Sequence, residues 1–262
     1  MNEVKKLIDT AKMWTGYLEK KSNQNLDDFT ANAGSGNYTC FARDYKEHTN
    51  LNLQAQPWCA MFVSEVFVQV FGLETARKLL CGALYHYCPT GVSNFKAAGR
   101  WSDTPEPGAV IFFTNGTRAY HTGIVIEVTL TRIKTIEGNT SGASGVIENG
   151  GGVCIKSYAR NYHKILGYGT PDWSIVRPVA GWEKDSRGKY KYRKENGEYA
   201  ASEWLTINHH WYLFGADGQM LTGKQQWNGE WFYLDQTPGG KLEGACWHEK
   251  DKRNGAMEVW EV

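Results

Sequence analysis

The sequence lacks long apolar runs and a strong charge of either sign. No stretch reaches the roughly 18 consecutive apolar residues of a transmembrane helix, so we expect no membrane insertion. The formal net charge is only +1, and no long Lys/Arg run is present. Binding to nucleic acid or to an anionic membrane surface needs a basic patch. The sequence therefore predicts neither partner.

The first residues also lack the features of a secretion signal. Residues 1–6 lead directly into a charged amphipathic segment, without an apolar core or a small-residue cleavage site. Cysteine is sparse as well, since six cysteines spread over 262 residues do not make a disulfide scaffold. Both observations favour synthesis in a reducing cytoplasm.

Among the features that are present, the segment around Cys59 organises the chain. Apolar residues follow it with the spacing of a helix that buries one face, at Phe62, Val63, Val66, Phe67 and Val70. Pro57 suits the first helical position, because its missing N–H needs no partner there. Cys59 then lies in the first turn, where free N–H groups and the helix dipole favour a thiolate. For a lone cysteine, the competing interpretation is a small buried thiol that packs as a hydrophobe.

Helical patterns come first and strand patterns follow. Helices are predicted over 3–21, 41–46, 57–71, 73–80 and 92–98, and strands over 109–113, 121–128, 132–137, 153–158 and 164–168. This order is typical of an α+β domain with helices packed on an antiparallel sheet. The pattern stops near residues 171–178, so we predict domains at 1–176 and 177–262.

Three polar residues on the predicted sheet complete a catalytic pattern with Cys59. A cysteine nucleophile needs a base within hydrogen-bond reach, and that base needs an orienting partner. His121 opens an apolar strand, while Glu137 and Asn139 lie two residues apart at the end of the next one. Strand alternation predicts that both project from one face, where either could contact the far ring nitrogen of His121. A single histidine at a strand edge is otherwise more often structural.

The carboxy-terminal third contains an internal repeat. Tryptophans recur at intervals of 22, 23 and 20 residues, at Trp182, Trp204, Trp227 and Trp247. An aromatic pair and then a glycine turn follow in each unit, with turns at 196–197, 217–218 and 239–240. Self-similarity at this period is typical of a stacked, solenoid-like array. We predict one β-hairpin per unit, built on the glycine turn.

The first domain resembles the CHAP family of papain-like, NlpC-related cysteine peptidases and amidases. The resemblance rests on the segments PWCAMFVSEVF, PEPGAVIFF, HTGIVIEV and IEGNTSG. It implies that Cys59 is the nucleophile, His121 the general base and Glu137 its orienting residue. Asn139 takes the position of a further polar residue that assists orientation or the oxyanion site. The segment before Cys59 has no carboxylate, so no calcium is expected, and no cofactor is implied.

The resemblance implies hydrolysis of an amide bond in bacterial peptidoglycan. Either the N-acetylmuramoyl-L-alanine bond or a bond in the stem peptide or cross-bridge fits this chemistry. Without a secretion signal, a phage or prophage endolysin is favoured, made in the host cytoplasm and acting at the wall after release. The alternatives are a non-catalytic wall-binding protein with an inactive CHAP domain and a general cysteine protease. The intact Cys/His/Glu/Asn set argues against the first of these.

The repeats resemble choline-binding cell-wall repeats, as in HHWYLFGADGQMLTG and NGEWFYLDQTPGGKLEG. The family forms aromatic cages for the choline of teichoic acids, since a quaternary ammonium is attracted to aromatic faces. The resemblance places ligand binding on Trp204, Trp211, Tyr212, Trp227, Trp231, Tyr233 and Trp247. The competing interpretation is that these aromatics only hold the hairpins together. Such arrays can also pair between chains, so a homodimer through the repeats stays open.

A metal site is not predicted from the remaining cysteines and histidines. Cys81, His86 and Cys88 lie close in sequence, but their spacing fits no standard zinc site and a fourth ligand is missing. Buried thiols are the favoured interpretation.

Overall fold

The computed structural model describes residues 3–176, 180–251 and 256–259. The chain divides into two compact units, Met1–Val176 and Arg177–Val262. Residues 177–179, where the predicted second domain begins, lie outside the described residues. Within the described part, no helix is both long and apolar enough to cross a membrane.

The first unit begins with five helices. They are α1 (Glu3–Met13), α2 (Cys40–Thr49), α3 (Cys59–Phe71), α4 (Leu73–Leu79) and α5 (Cys88–Ala97). The prediction that the first helix continues to residue 21 was wrong. It ends at Met13 and the chain turns through Gly16, whose φ of 89° suits glycine. Tyr17 is fully buried beyond this turn, so the apolar spacing continues although the helix does not.

A six-stranded antiparallel sheet follows, in the order β1-β6-β2-β3-β4-β5. Its strands are β1 (Trp101–Ser102), β2 (Val110–Thr114), β3 (Ala119–Val128), β4 (Arg132–Thr140), β5 (Gly152–Ala159) and β6 (Ile165–Gly169). A short 3₁₀ turn over Trp173–Ile175 comes after the sheet. The α+β prediction, with helices on an antiparallel sheet, is thus confirmed.

Alternation along the strands builds apolar cores on both faces of the sheet. Val110 and Phe112 join the larger core, which the helices cover, while Ile111 and Phe113 join a smaller one. The helix α3 contacts α1, α2 and α4 as well as β3 and β4. It is therefore buried all round from Cys59 to Phe67, and not on one face as the spacing predicts.

The second unit is a series of β-hairpins. They are β7 (Gly181–Lys184) with β8 (Tyr190–Arg193), β9 (Glu203–Ile207) with β10 (His210–Phe214), β11 (Gly223–Trp227) with β12 (Glu230–Leu234), and β13 (Cys246–Asp251) with β14 (Ala256–Val259). One hairpin per unit is as predicted.

The predicted position of the hairpin turns was wrong for the first three hairpins. The β7–β8 turn lies between Lys184 and Tyr190, not at 196–197. The β9–β10 turn is Asn208-His209 and the β11–β12 turn is Asn228-Gly229, all four residues having positive φ. Two such residues are what a two-residue hairpin turn requires. The glycine turn at 217–218 follows the hairpin instead, where it brings Met220 back to bridge Phe214.

Candidate functional site

The predicted nucleophile begins the central helix of the first unit. Cys59 is the first residue of α3, after the N-cap residue Trp58. Pro57 lies one residue before that cap, not at the first helical position. Cys59 is 4% exposed and borders a cleft. The position combines the free amide groups of a helix start with access to a cavity, as a reactive thiolate requires.

The predicted base and its partner meet on the sheet. His121 on β3 and Glu137 on β4 are fully buried, with 2.9 Å between His121 Nε2 and Glu137 Oε2. This contact places the Nε2 proton toward the carboxylate, so Nδ1 is the nitrogen left to act on the thiol. Nδ1 has no hydrogen-bond partner of good geometry among the described side chains and backbone.

Two hydroxyl groups hold the Glu137 carboxylate. Thr135 Oγ1 donates to Oε1 at 2.5 Å, and Tyr158 Oη on β5 donates to Oε2 at 3.2 Å. Neither residue was predicted. Thr135 could have been found, because it lies two residues before Glu137 on the same strand face. Tyr158 depends on the pairing of β4 with β5, which spacing alone does not reveal.

The pKa values of the cysteine and histidine move in opposite directions. A hydrogen bond from Cys88 lowers the pKa of Cys59 well below its usual value; burial opposes this shift, while His121 and the Thr122 backbone support it. Burial would lower the pKa of His121, but its contacts with Cys59 and Glu137 outweigh burial and raise it to about 10. Both shifts favour a thiolate and an imidazolium over the neutral pair.

Two glycines of the sequence motifs allow the close packing around this site. A Cβ at Gly123 on β3 would lie 2.5 Å from Glu137 Cγ and 2.7 Å from the Ile136 carbonyl oxygen. A Cβ at Gly138 on β4 would lie 2.5 Å from Phe62 Cβ in α3. The glycines thus let the strand with Glu137 approach both the histidine strand and the nucleophile helix.

Asn139 is not part of the hydrogen-bonded set. It is fully buried and left-handed, with φ of 55°, at an irregularity in the pairing of β4 with β5. The alternation that would place it beside Glu137 is therefore interrupted. Both polar atoms of its amide have no partner among the described side chains and backbone. Its predicted role stays a prediction.

The cleft beside Cys59 has a volume of about 540 Å³ and carries charges of both signs. The Arg118 guanidinium lies 5.6 Å from the centre of the Tyr87 ring, and Glu148 also lines the cleft. Its other lining residues are Leu53, Gln56, Pro57, Met61, His86, Cys88, Tyr120 and Asn149. Trp58 is not among them; it is fully buried and stacks on Phe41. The cleft therefore presents both charged and apolar groups beside Cys59.

No metal centre is evident in the part of the chain that the structure describes. Within it, no group of three or more His, Cys, Asp or Glu side chains could hold an ion.

The predicted aromatic ligands of the second unit divide into packing and cleft residues. Tyr212 is 6% exposed in one apolar cluster, and Trp204 packs edge-on to Phe232 in another. Trp211 and Trp227 belong to the same cluster as Trp204. These four residues pack in apolar clusters, and their predicted role in ligand binding stays a prediction.

The remaining aromatics surround or adjoin an open cleft of about 530 Å³. Tyr233 and Trp247 line it together with Leu234, Asp235 and Gln236. The Trp247 indole Nε1 donates to Asp235 Oδ2 at 3.2 Å, which fixes the ring beside a carboxylate. Trp231 is 56% exposed outside this lining, and Lys224 Nζ lies 4.4 Å from the centre of its ring. Aromatic faces beside a carboxylate are suited to an organic cation.

A smaller cleft involves Tyr212, which was predicted as a ligand, and two aromatic residues that were not. Trp182, Tyr190 and Tyr212 line it with Met220, Gly240, Lys241 and Glu243. Trp182 and Tyr190 belong to the divergent first repeat. Because that repeat departs from the usual sequence, they were not identified as ligand residues.

Family comparisons match both units. Residues 52–139 match the CHAP domain, and residues 201–243 match the choline-binding repeat. The first match includes Cys59, His121 and Glu137. No curated protein sequence matches the chain.

Solved structures give only distant likenesses. The choline-binding domain of Spr1274 from Streptococcus pneumoniae is 24% identical over 26% of this chain and 94% of its own, with a TM-score of 0.22. Choline binding protein F from the same species is 18% identical over 53% and 56%, with a TM-score of 0.23. The pneumococcal cell wall endolysin from phage Cp-1, solved with choline, is 22% identical over 36% of each chain, with a TM-score of 0.16. TM-scores this low establish no common fold.

The two family matches lie in the two separate units, one over the Cys59 helix and the His121 and Glu137 strands, the other over the hairpins. One unit therefore contains a CHAP-domain match and the other a choline-binding-repeat match, which together support a cell-wall hydrolase-like architecture.

Proposed function

We propose that this protein is a cysteine-dependent peptidoglycan hydrolase that cleaves an amide bond, as an N-acetylmuramoyl-L-alanine amidase or a stem or cross-bridge endopeptidase. The observation that carries the proposal is the buried Cys59, His121 and Glu137 set, whose cysteine borders a cleft. A thiolate that borders a cleft, with an oriented imidazolium, is the arrangement that amide cleavage needs.

The chemistry follows from this arrangement. The Cys59 thiolate attacks the amide carbonyl carbon, and the backbone N–H groups at the start of α3 stabilise the oxyanion. His121 then donates its Nδ1 proton to the leaving amine as the C–N bond breaks. Water next attacks the thioester, His121 takes a proton from it, and the carboxylic acid leaves Cys59. Glu137 keeps the ring oriented and stabilises its positive charge throughout.

The repeats supply attachment to the wall in this proposal. The cleft with Tyr233, Asp235 and Trp247 offers aromatic faces and a negative charge, which suit the quaternary ammonium of choline on a teichoic acid. Homodimer formation through the repeats stays a prediction, as do synthesis in the host cytoplasm and action after release.

Digestion of purified Gram-positive cell walls tests the proposal. Wild type, Cys59→Ala and Cys40→Ala are incubated with walls, and mass spectrometry identifies the released products. Cys40→Ala is the matched control, since it removes another buried thiol, which lies beside Tyr17. Stem peptides that begin with L-alanine indicate an amidase, and muropeptides cut within the stem or bridge indicate an endopeptidase.

Only wild type and the control should release products, while all three proteins bind the walls. If wild type binds walls of several chemotypes and releases nothing, the enzyme proposal is wrong. The protein would then be a wall-binding protein with an inactive CHAP domain.

A further inference from the structure

Cys88 lies in contact with the nucleophile. It begins α5, is 5% exposed, and its Sγ lies 3.8 Å from Cys59 Sγ. This separation is within the range of a hydrogen bond between sulfur atoms. Both residues border the same cleft.

The proton of this contact belongs to Cys88. His121 and the backbone of Thr122 stabilise a negative charge on Cys59. The neighbouring Cys59 and burial together raise the pKa of Cys88 well above its usual value. Near neutral pH, Cys88 is therefore the S–H donor and the Cys59 thiolate the acceptor.

We propose that Cys88 is a positioning residue for the nucleophile, whose S–H group donates a hydrogen bond to the Cys59 thiolate and holds it in place as an anion. The inference rests on the proposed function, in which Cys59 is the nucleophile. Cys88 forms no bond to substrate in this role. It supplies a third source of stabilisation for the thiolate, besides His121 and the amide groups at the helix start.

The hydrogen bond has two opposing consequences for reactivity. It increases the thiolate fraction at low pH, but it also makes the thiolate less basic and so less nucleophilic. If its loss raises the pKa of Cys59 by about one unit, the thiolate fraction in the acidic range falls about tenfold, while each thiolate reacts about threefold faster. Cys59 in the Cys88→Ala variant should then react about threefold more slowly than in wild type at low pH, and about threefold faster at high pH.

Alkylation of Cys59 by iodoacetamide, followed by peptide mass spectrometry from pH 4 to pH 10, measures this effect without substrate. The variants are Cys88→Ala, Cys88→Ser and the control Cys40→Ala, each kept reduced and checked by thermal melting. The Cys88→Ala rate profile should cross that of wild type. Cys88→Ser retains a donor and should follow wild type, as should Cys40→Ala.

A Cys88→Ala profile that is parallel to or superimposed on that of wild type would overturn the inference. If Cys88→Ala does not fold, a Cys88→Ser profile that departs from wild type would also overturn it, and a matching profile would support it. Wall digestion by wild type separately reports the proposed function. Crossed profiles with no wall digestion would support the hydrogen bond from Cys88 and reject the proposed enzyme activity. Wall digestion with superimposed profiles would support the enzyme activity and reject the hydrogen bond.

Discussion

Gly138 of β4 packs directly against Phe62 of α3. A Cβ at Gly138 would lie 2.5 Å from Phe62 Cβ, a distance that real side chains do not adopt. Since Glu137 precedes this glycine and Cys59 lies one turn before Phe62, the contact sets the separation of the sheet half of the site from its helix half. The glycine of the Glu-Gly-Asn motif is therefore a packing requirement of the geometry of the candidate site.

Gly138→Ala should reduce activity by moving β4 away from α3. Overpacking of this kind costs about 1–3 kcal/mol of stability. We expect a lower melting temperature, and a loss of kcat/KM on solubilised peptidoglycan that persists well below it. Gly142→Ala is the control, because a Cβ there has open space around it. Equal activity of the two variants would show that the contact does not position the site.

The pH dependence of kcat/KM should report the two shifted pKa values. Activity rises as Cys59 loses its proton, at a pH well below 9, and falls as His121 loses its own at about pH 10. Glu137→Gln removes a charge that favours the imidazolium, so the alkaline limb should move to lower pH. At pH 7 we expect a loss of up to about 10⁴-fold, the order of magnitude for replacing the carboxylate that orients a catalytic histidine by its amide.

Glu127→Gln is the matched control for this profile. Glu127 lies on β3, but it is exposed and pairs with Lys134. Its replacement should leave both limbs in place. An alkaline limb that stays fixed in Glu137→Gln would mean that Glu137 does not set the charge state of His121.

The sequence predicts the parts of the site that local patterns encode. Cys59 follows from helix spacing, and His121 and Glu137 follow from strand ends and their motifs. Cys88 could not be predicted in the same way. It lies 29 residues beyond Cys59, and only the packing of α5 brings the two sulfur atoms together.

The repeats show a second limit, which concerns turns. Both Asn208-His209 and the glycine turn at 217–218 have residues suited to positive φ, so composition does not rank them. The strand pairing does, because Ile207 faces His210 across the first turn. The aromatic side chains likewise divide into packing and exposed positions only once this register is known.

Glu65 should make the stability of the first unit depend on pH. It is 1% exposed in α3; its Oε2 lies 2.9 Å from His48 Nδ1, and its Oε1 has no partner among the described side chains and backbone. Burial raises the pKa of Glu65 to about 8, with smaller contributions from Asp44 and Glu47.

The folded state therefore binds the Glu65 proton more tightly than the unfolded state does. Stability should fall by up to about 1.4 kcal/mol per pH unit as pH rises from about 4.5 to about 8. Glu65→Gln should remove this slope. At pH 8 it should melt at a higher temperature than wild type, and at pH 5 the difference between the two proteins should be smaller. Melting curves across this range test it, and parallel curves for the two proteins would contradict it.

Wall attachment should depend on Tyr233 and Asp235 more than on Trp231. Tyr233→Ala and Asp235→Asn each remove part of the aromatic and anionic cleft, so choline affinity by titration calorimetry should fall. A cation–aromatic contact at an exposed site contributes about 0.5–1 kcal/mol, or roughly two- to fivefold. Trp231→Ala is the control, since Trp231 lies outside the lining of this cleft. An equal loss in all three variants would exclude this cleft as the specific site.

Hydrogen peroxide should inactivate the enzyme reversibly through Cys88. The Cys59 thiolate attacks a peroxide oxygen, giving a sulfenic acid and hydroxide, which takes up a proton to become water. The Cys88 sulfur, 3.8 Å away, then attacks the Cys59 sulfur. Hydroxide leaves with the Cys88 proton as water, and a disulfide forms.

A dithiol should restore activity in wild type. In Cys88→Ser the sulfenic acid has no adjacent thiol, so further oxidation should make the loss irreversible. Activity assays before and after dithiol treatment, with peptide mass spectrometry of the oxidised protein, measure both outcomes. Full recovery in Cys88→Ser, or absence of a peptide linking residues 59 and 88 in wild type, would contradict this prediction.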